Sequence, residues 1–204
     1  MKRKLKYEKA VTLTLFAAII VVLQLISTFV KFGPFSITLA LAPIIIAGAL
    51  YGVRAGTAMG AVLSLVILVT GLTGADGGGV LWLMSLYPLA PLVTVLLIFA
   101  KTTLAGLLAS LAYRAIVKWN DWVATVTAGI LCPVVNTGIY LLGMILFFTD
   151  TVLSGASAEG MNVVAYLFIG MVGLNFPVEL CVNLALSAAI VQVVRIVSRK
   201  KGTR

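Results

Sequence analysis

The sequence predicts an all-α integral membrane protein, a single domain of six transmembrane helices with both termini cytoplasmic. Three observations carry this. Of 204 residues, 62% are hydrophobic and 10% are charged, with a mean hydropathy of +1.17. Soluble domains hold about 45–50% apolar and about 25% charged residues. A helix needs about 20 apolar residues to cross hydrocarbon, so this length holds six spans with short connections and no further soluble domain. The net charge of +9 is gathered at the two ends and in the connections, which signals topology rather than nucleic-acid binding.

The elements follow in order. Lys2, Arg3, Lys4, Lys6 and Lys9 form a basic tail. The apolar run that follows, residues 10–30, is too long for a signal peptide and lacks a small-residue cleavage site, so it is read as span 1. Span 2 covers about 36–53, after a loop at 31–35, and span 3 about 54–72. As one helix, spans 2 and 3 would rise about 55 Å, against a core of about 30 Å. The turn therefore falls at Gly52-Val53-Arg54-Ala55-Gly56, where glycines and a charge coincide. Residues 71–88 are a Gly-rich, flexible loop holding Asp76, Trp82 and Tyr87. Span 4 covers about 89–117, with Pro88 and Pro91 at its start, where proline is tolerated. Span 5 covers about 122–148. Residues 149–162 read as a polar loop. Span 6 lies within 163–197, with a break expected near Asn175-Phe176-Pro177, and a basic tail closes the chain.

Orientation follows from charge. With the N-terminus in the cytoplasm, the inner side holds 13 cations: the five of the first tail, Arg54, Arg114, Lys118, and Arg195, Arg199, Lys200, Lys201 and Arg204. The outer side holds Lys31 alone, and Lys101 remains inside span 4. The positive-inside rule selects this arrangement.

Absences restrict the chemistry. There is no histidine, so imidazole acid–base catalysis and His ligation are excluded. Cys132 and Cys181 stand in apolar runs and read as small buried hydrophobes. No metal and no cofactor is expected. No G-x-x-x-x-G-K-[ST] loop exists to cradle ATP phosphates.

Four polar residues stand within spans: Lys101, Asn136, Glu179 and Asn183. Intramembrane charges face a cavity or a partner. At about 1.5 Å per residue, Lys101 lies about 25 Å from Lys118, Asn136 about 22 Å from Asp121, and Glu179 about 24 Å from Arg195. Three residues on three spans thus share one layer in the outer half of the membrane. Two readings follow: a buried Lys–Glu ion pair, or an outward-facing binding pocket, with Asn183 one turn below Glu179.

Small residues recur at every fourth position. Gly48, Gly52, Gly56 and Gly60 read as a tight hairpin, because small-xxx-small faces allow close helix approach in lipid. Ala10, Thr14 and Ala18 in span 1 read either as internal packing or as a docking face.

Several segments together resemble the substrate-binding S components of energy-coupling factor (ECF) type vitamin transporters. They are Phe32-Gly-Pro-Phe-Ser-Ile-Thr-Leu-Ala-Leu-Ala-Pro43, Gly48-Ala-Leu-Tyr-Gly-Val-Arg-Ala-Gly56, Val135-Asn136-Thr137 and Asn175-Phe-Pro-Val-Glu-Leu-Cys-Val-Asn183. The resemblance extends over nearly the whole chain in length, span count and order. It implies a non-enzymatic subunit in a prokaryotic cell membrane that captures a water-soluble vitamin or related micronutrient at the outer face. It also implies partners: a membrane T component and two cytoplasmic ATPases, which would hydrolyse the ATP this chain cannot bind. The family's docking face is a small-xxx-small pattern on span 1, matched here at Thr14 and Ala18, with Thr where Ala is usual. Lys101 would meet a substrate carboxylate or phosphate. Pantothenate or folate is the first expectation, with riboflavin and pyridoxine-type ligands open. Trp82 and Tyr87 would stack on a ring or sit at the membrane interface.

Two rival classes stand against this. A membrane enzyme would need paired acids or a nucleophile with a base, and the six acids lie scattered over separate segments. A self-contained proton-coupled carrier or channel would use Glu179 to carry protons.

Overall fold

The computed structural model describes residues 2–29 and 38–202, with side chains described for 7–29, 38–186, 189 and 196. The fold is all-helical, with no strand among the described residues. The helices are α1 (Lys2–Phe29), α2 (Leu41–Tyr51), α3 (Val53–Leu72), α4 (Gly79–Met84), α5 (Ala90–Ile116), α6 (Asp121–Phe147), α7 (Thr149–Ala158), α8 (Val163–Ala165), which continues as a wider π-type turn over Tyr166–Met171, and α9 (Asn175–Gly202).

Four helices are long and apolar enough to cross a membrane: Tyr7–Phe29 within α1, then α3, α5 and α6. A fifth crossing arises if α7 and the Val163–Met171 segment, bent by 100°, count as one broken span. The expected six are therefore not all full-length helices. The described part of span 2 is α2, whose 11 residues rise only about 16 Å. The loop at 31–35 and the start of span 2 lie outside the described residues.

Local chemistry explains the boundaries. Gly52 separates α2 from α3 with φ 85°, a left-handed conformation that costs glycine little. Pro91 sits in the first turn of α5. Asn120 caps α6: its side-chain oxygen accepts from the amides of Trp122 (2.8 Å) and Val123 (3.1 Å), satisfying donors that a helix start leaves open. The break in the last hydrophobic stretch falls at Val172–Leu174, where Gly173 takes φ 51°. Pro177 then stands in the first turn of α9, so it follows the break rather than making it.

Two expected loops are structured. Asp76 accepts from the amides of Gly78 and Val80, both at 2.9 Å, and so organises the glycine-rich stretch ahead of α4. The expected polar loop 149–162 holds α7, because Val152 and Ala156, four residues apart, bury against the neighbouring helices.

Packing divides into two apolar clusters. One joins α1, α2, α3, α5 and α6 through residues such as Ile20, Ile44, Leu63, Ala105 and Ala128. The other joins α4, α5, α6, α7 and the π-type turn through Leu83, Leu97, Met144, Val152 and Met171. The glycine series serves a wider purpose than the expected hairpin. A Cβ on Gly60 would collide with the Thr102 carbonyl, and one on Gly106 with the Gly56 carbonyl. The seam therefore lets α3 lie against α5, and the hydroxyls of Ser64 and Thr102 meet across it. Large apolar side chains such as Leu15, Leu25, Val69, Leu96 and Leu146 point outward, as lipid-facing surfaces do and soluble monomers rarely do over large areas.

Candidate functional site

Along α5, Lys101 stands four residues from Leu97 in one apolar cluster and four from Ala105 in the other. Along α6, Asn136 lies four residues after Cys132 in one cluster and five before Leu141 in the other. The helical period thus leaves a polar layer between two apolar blocks. Glu179 on α9 completes it.

All three side chains line one cavity, together with Thr38, Tyr140 and Asn175. Asn136 and Glu179 are buried. The Thr38 amide donates to Glu179 Oε1 at 2.5 Å. Glu179 Oε2 and Asn136 Oδ1 are buried with no hydrogen-bond partner among the described residues. Lys101 Nζ lies 5.4 Å from the centroid of the Tyr140 ring, within the range of a cation–π contact. No Lys101–Glu179 contact falls within the 4.0 Å ion-pair distance, so the expected alternative of a directly bonded buried pair is not formed. Both charges instead face shared space.

The structure gathers Lys101, Asn136 and Glu179, and leaves three other expected residues off the cavity. Asn183 is buried one turn along α9, and its Nδ2 donates to the Glu179 backbone carbonyl at 2.8 Å. It supports the helix turn that carries the carboxylate. Trp82 lies on the outward side of α4 and is 44% exposed. Tyr87 packs its ring on Phe148, with centroids 5.5 Å apart. Neither aromatic residue lines the cavity.

Other lining residues escaped the sequence reading. Tyr140 follows Asn136 by four residues and Asn175 precedes Glu179 by four, so each shares a helix face with a residue already singled out. That spacing is the signal that would have found them. Thr38 carries no such signal, because its amide reaches Glu179 across 141 positions.

Ala10, Thr14 and Ala18 are all exposed on α1, so the described residues leave them largely uncovered. Cys132 is buried as expected, whereas Cys181 is exposed, because it projects from the outer side of α9. No cluster of three metal-ligating side chains occurs among the described residues. Comparison with protein-family models, with curated proteins and with solved structures returns no match for this chain.

Proposed function

We propose that this chain is the substrate-capturing subunit of an ECF-type importer. In this reading it binds a water-soluble vitamin or related micronutrient in the cavity at Lys101, Asn136 and Glu179, and partner ATPases drive uptake. One observation carries the proposal: a cation and a carboxylate from different helices share one cavity without a direct ion pair. Charges placed in a span cost at least about 2.5–3.5 kcal/mol on insertion scales, and a polar ligand meeting both would offset that cost.

The chain then crosses the membrane six times, with α2 and the apolar start of α9 as shortened crossings. In this arrangement 13 of the 15 cations fall on one side, and the positive-inside rule favours that side as the cytoplasm. Ala10, Thr14 and Ala18 offer the T component a face of small side chains that this chain leaves uncovered.

The test is mass spectrometry of small molecules co-purifying with the protein, followed by uptake into vesicles with and without the T component and ATPases. A bound organic nutrient and ATP-dependent uptake are expected. The second reading, a self-contained proton-coupled carrier, is favoured by the buried Glu179 carboxylate. It requires uptake by this chain alone under a proton gradient, and that result would displace the importer reading.

A further inference from the structure

A second cavity adjoins the first. Thr38, Lys101 and Tyr140 line both, so Lys101 stands at the junction of two chambers. The chambers differ in character. The first presents two unpartnered buried acceptors, Asn136 Oδ1 and Glu179 Oε2. The second is walled by Ile67, Val80, Leu83, Leu97 and Ile98, with Thr70 and Asp76, whose carboxylate already accepts from the Gly78 and Val80 amides, also in its lining. It also holds two buried polar groups with no hydrogen-bond partner among the described residues, Gln24 Oε1 and Thr94 Oγ1. Gln24 is 5% exposed and Thr94 1%, and buried polar atoms of this kind call for a partner.

We infer that the two chambers together take an α-amino acid zwitterion with a large apolar side chain. Its carboxylate lies at Lys101, its ammonium at Asn136 and Glu179, and its side chain in the second chamber. The inference rests on the capture function proposed above and gives its ligand one chemical class, an amino acid in place of a vitamin. A cation facing acceptors across a shared cavity matches a head group that carries both charges. An ammonium supplies three donors and no acceptor, which suits two open oxygens. A carboxylate accepts charge-assisted hydrogen bonds from lysine. A neutral head would meet neither charge directly. A compact ligand would leave the second chamber unfilled. Gln24 and Thr94 in its lining favour a side chain that carries its own hydrogen-bonding group.

The experiment uses the full chain in detergent. Thermal shift screens the twenty standard L-amino acids, and calorimetry measures those that stabilise. For the tightest binder, two analogues are compared: the same molecule without its amino group, and the same molecule without its carboxylate. An amino acid with a large apolar or aromatic side chain is expected to bind, glycine to bind at least tenfold more weakly, and each analogue to lose tenfold or more. In Glu179→Gln the deaminated analogue should regain ground on the parent, and in Lys101→Met the decarboxylated one should. Ile67→Phe narrows the second chamber and should shift preference toward smaller side chains. Leu83→Phe serves the same purpose if that variant does not fold. Equal affinity for the parent and its deaminated analogue overturns the zwitterion, and so does a screen with no binder. Neither result touches the capture function, which the co-purified small molecules decide separately.

Discussion

The backbone amide of Thr38 hydrogen-bonds the Glu179 carboxylate at 2.5 Å, across 141 positions of sequence. This contact joins the approach to α2 with the first turns of α9. It uses one carboxylate oxygen for the fold and leaves the other toward the cavity. Glu179→Ala should therefore destabilise the protein by about 1–3 kcal/mol, because the Thr38 amide is left buried and unbonded. Glu179→Gln keeps an acceptor and should retain most stability while losing affinity for a cationic group. Melting temperatures of the two variants in detergent, beside ligand affinities, check the split.

Lys101→Ala should weaken substrate binding by tenfold or more, since a charged hydrogen bond contributes about 1.5–3 kcal/mol. Folding should survive, because Lys101 makes no direct ion pair. The substrate recovered from the purified protein, titrated by calorimetry, reads the loss. Wild-type affinity in a well-folded Lys101→Ala/Glu179→Ala double variant would remove both residues from the site.

The seam between α3 and α5 gives a paired comparison. A side chain at Gly106 meets the Gly56 backbone, so Gly106→Ala should cost about 1–3 kcal/mol as an overpacked contact. Gly138, in the middle of α6, has nothing within 4 Å of the added methyl. There Gly138→Ala should be neutral or stabilise by up to about 1 kcal/mol, because alanine restricts the backbone less unfavourably in a helix. Thermal melts of the two variants side by side test this.

Ala18 is exposed on α1, so Ala18→Trp should leave folding and substrate binding intact. It should abolish co-purification with the T component and uptake in the reconstituted complex, because close helix approach needs small side chains. Unchanged uptake would place the docking face elsewhere.

Topology is tested by labelling. With Cys132 and Cys181 replaced by Ser, a Thr203→Cys variant in intact cells should resist a membrane-impermeant maleimide until the cells are opened. Reaction from outside would reverse the proposed orientation.

The long helices were legible in the sequence because their ends carry chemistry. Asn120 and Asp121 start α6, Pro91 starts α5, and Gly52 separates α2 from α3. The polar layer was legible because helical rise converts sequence spacing into depth, which sufficed for Lys101, Asn136 and Glu179. What escaped depends on facing rather than depth. Trp82 and Tyr87 belong to the expected region, but the turn of α4 and the Phe148 ring direct them elsewhere. Helix α7 hid inside a polar composition, since only Val152 and Ala156 mark its buried side. Gln24 and Thr94 drew no notice because one uncharged polar residue in a span says nothing until a second helix brings another beside it.

The glycine seam bears on where this molecule can yield. Between α3 and α5, backbone lies on backbone at Gly56, Gly60 and Gly106, and the Ser64 and Thr102 side chains that meet there are small, so that half behaves like a keel. On the other side, helix α4 borders the second cavity through Val80 and Leu83 and the π-type turn borders the first through Met171, and both hold their places through side chains and bends. Any widening that admits a ligand falls on that hatch-like side, while the keel keeps Lys101 and Thr102 in register. A binding event would then be felt first as a tightening of α4 and the π-type turn, and amide hydrogen exchange would record it there before anywhere along α3.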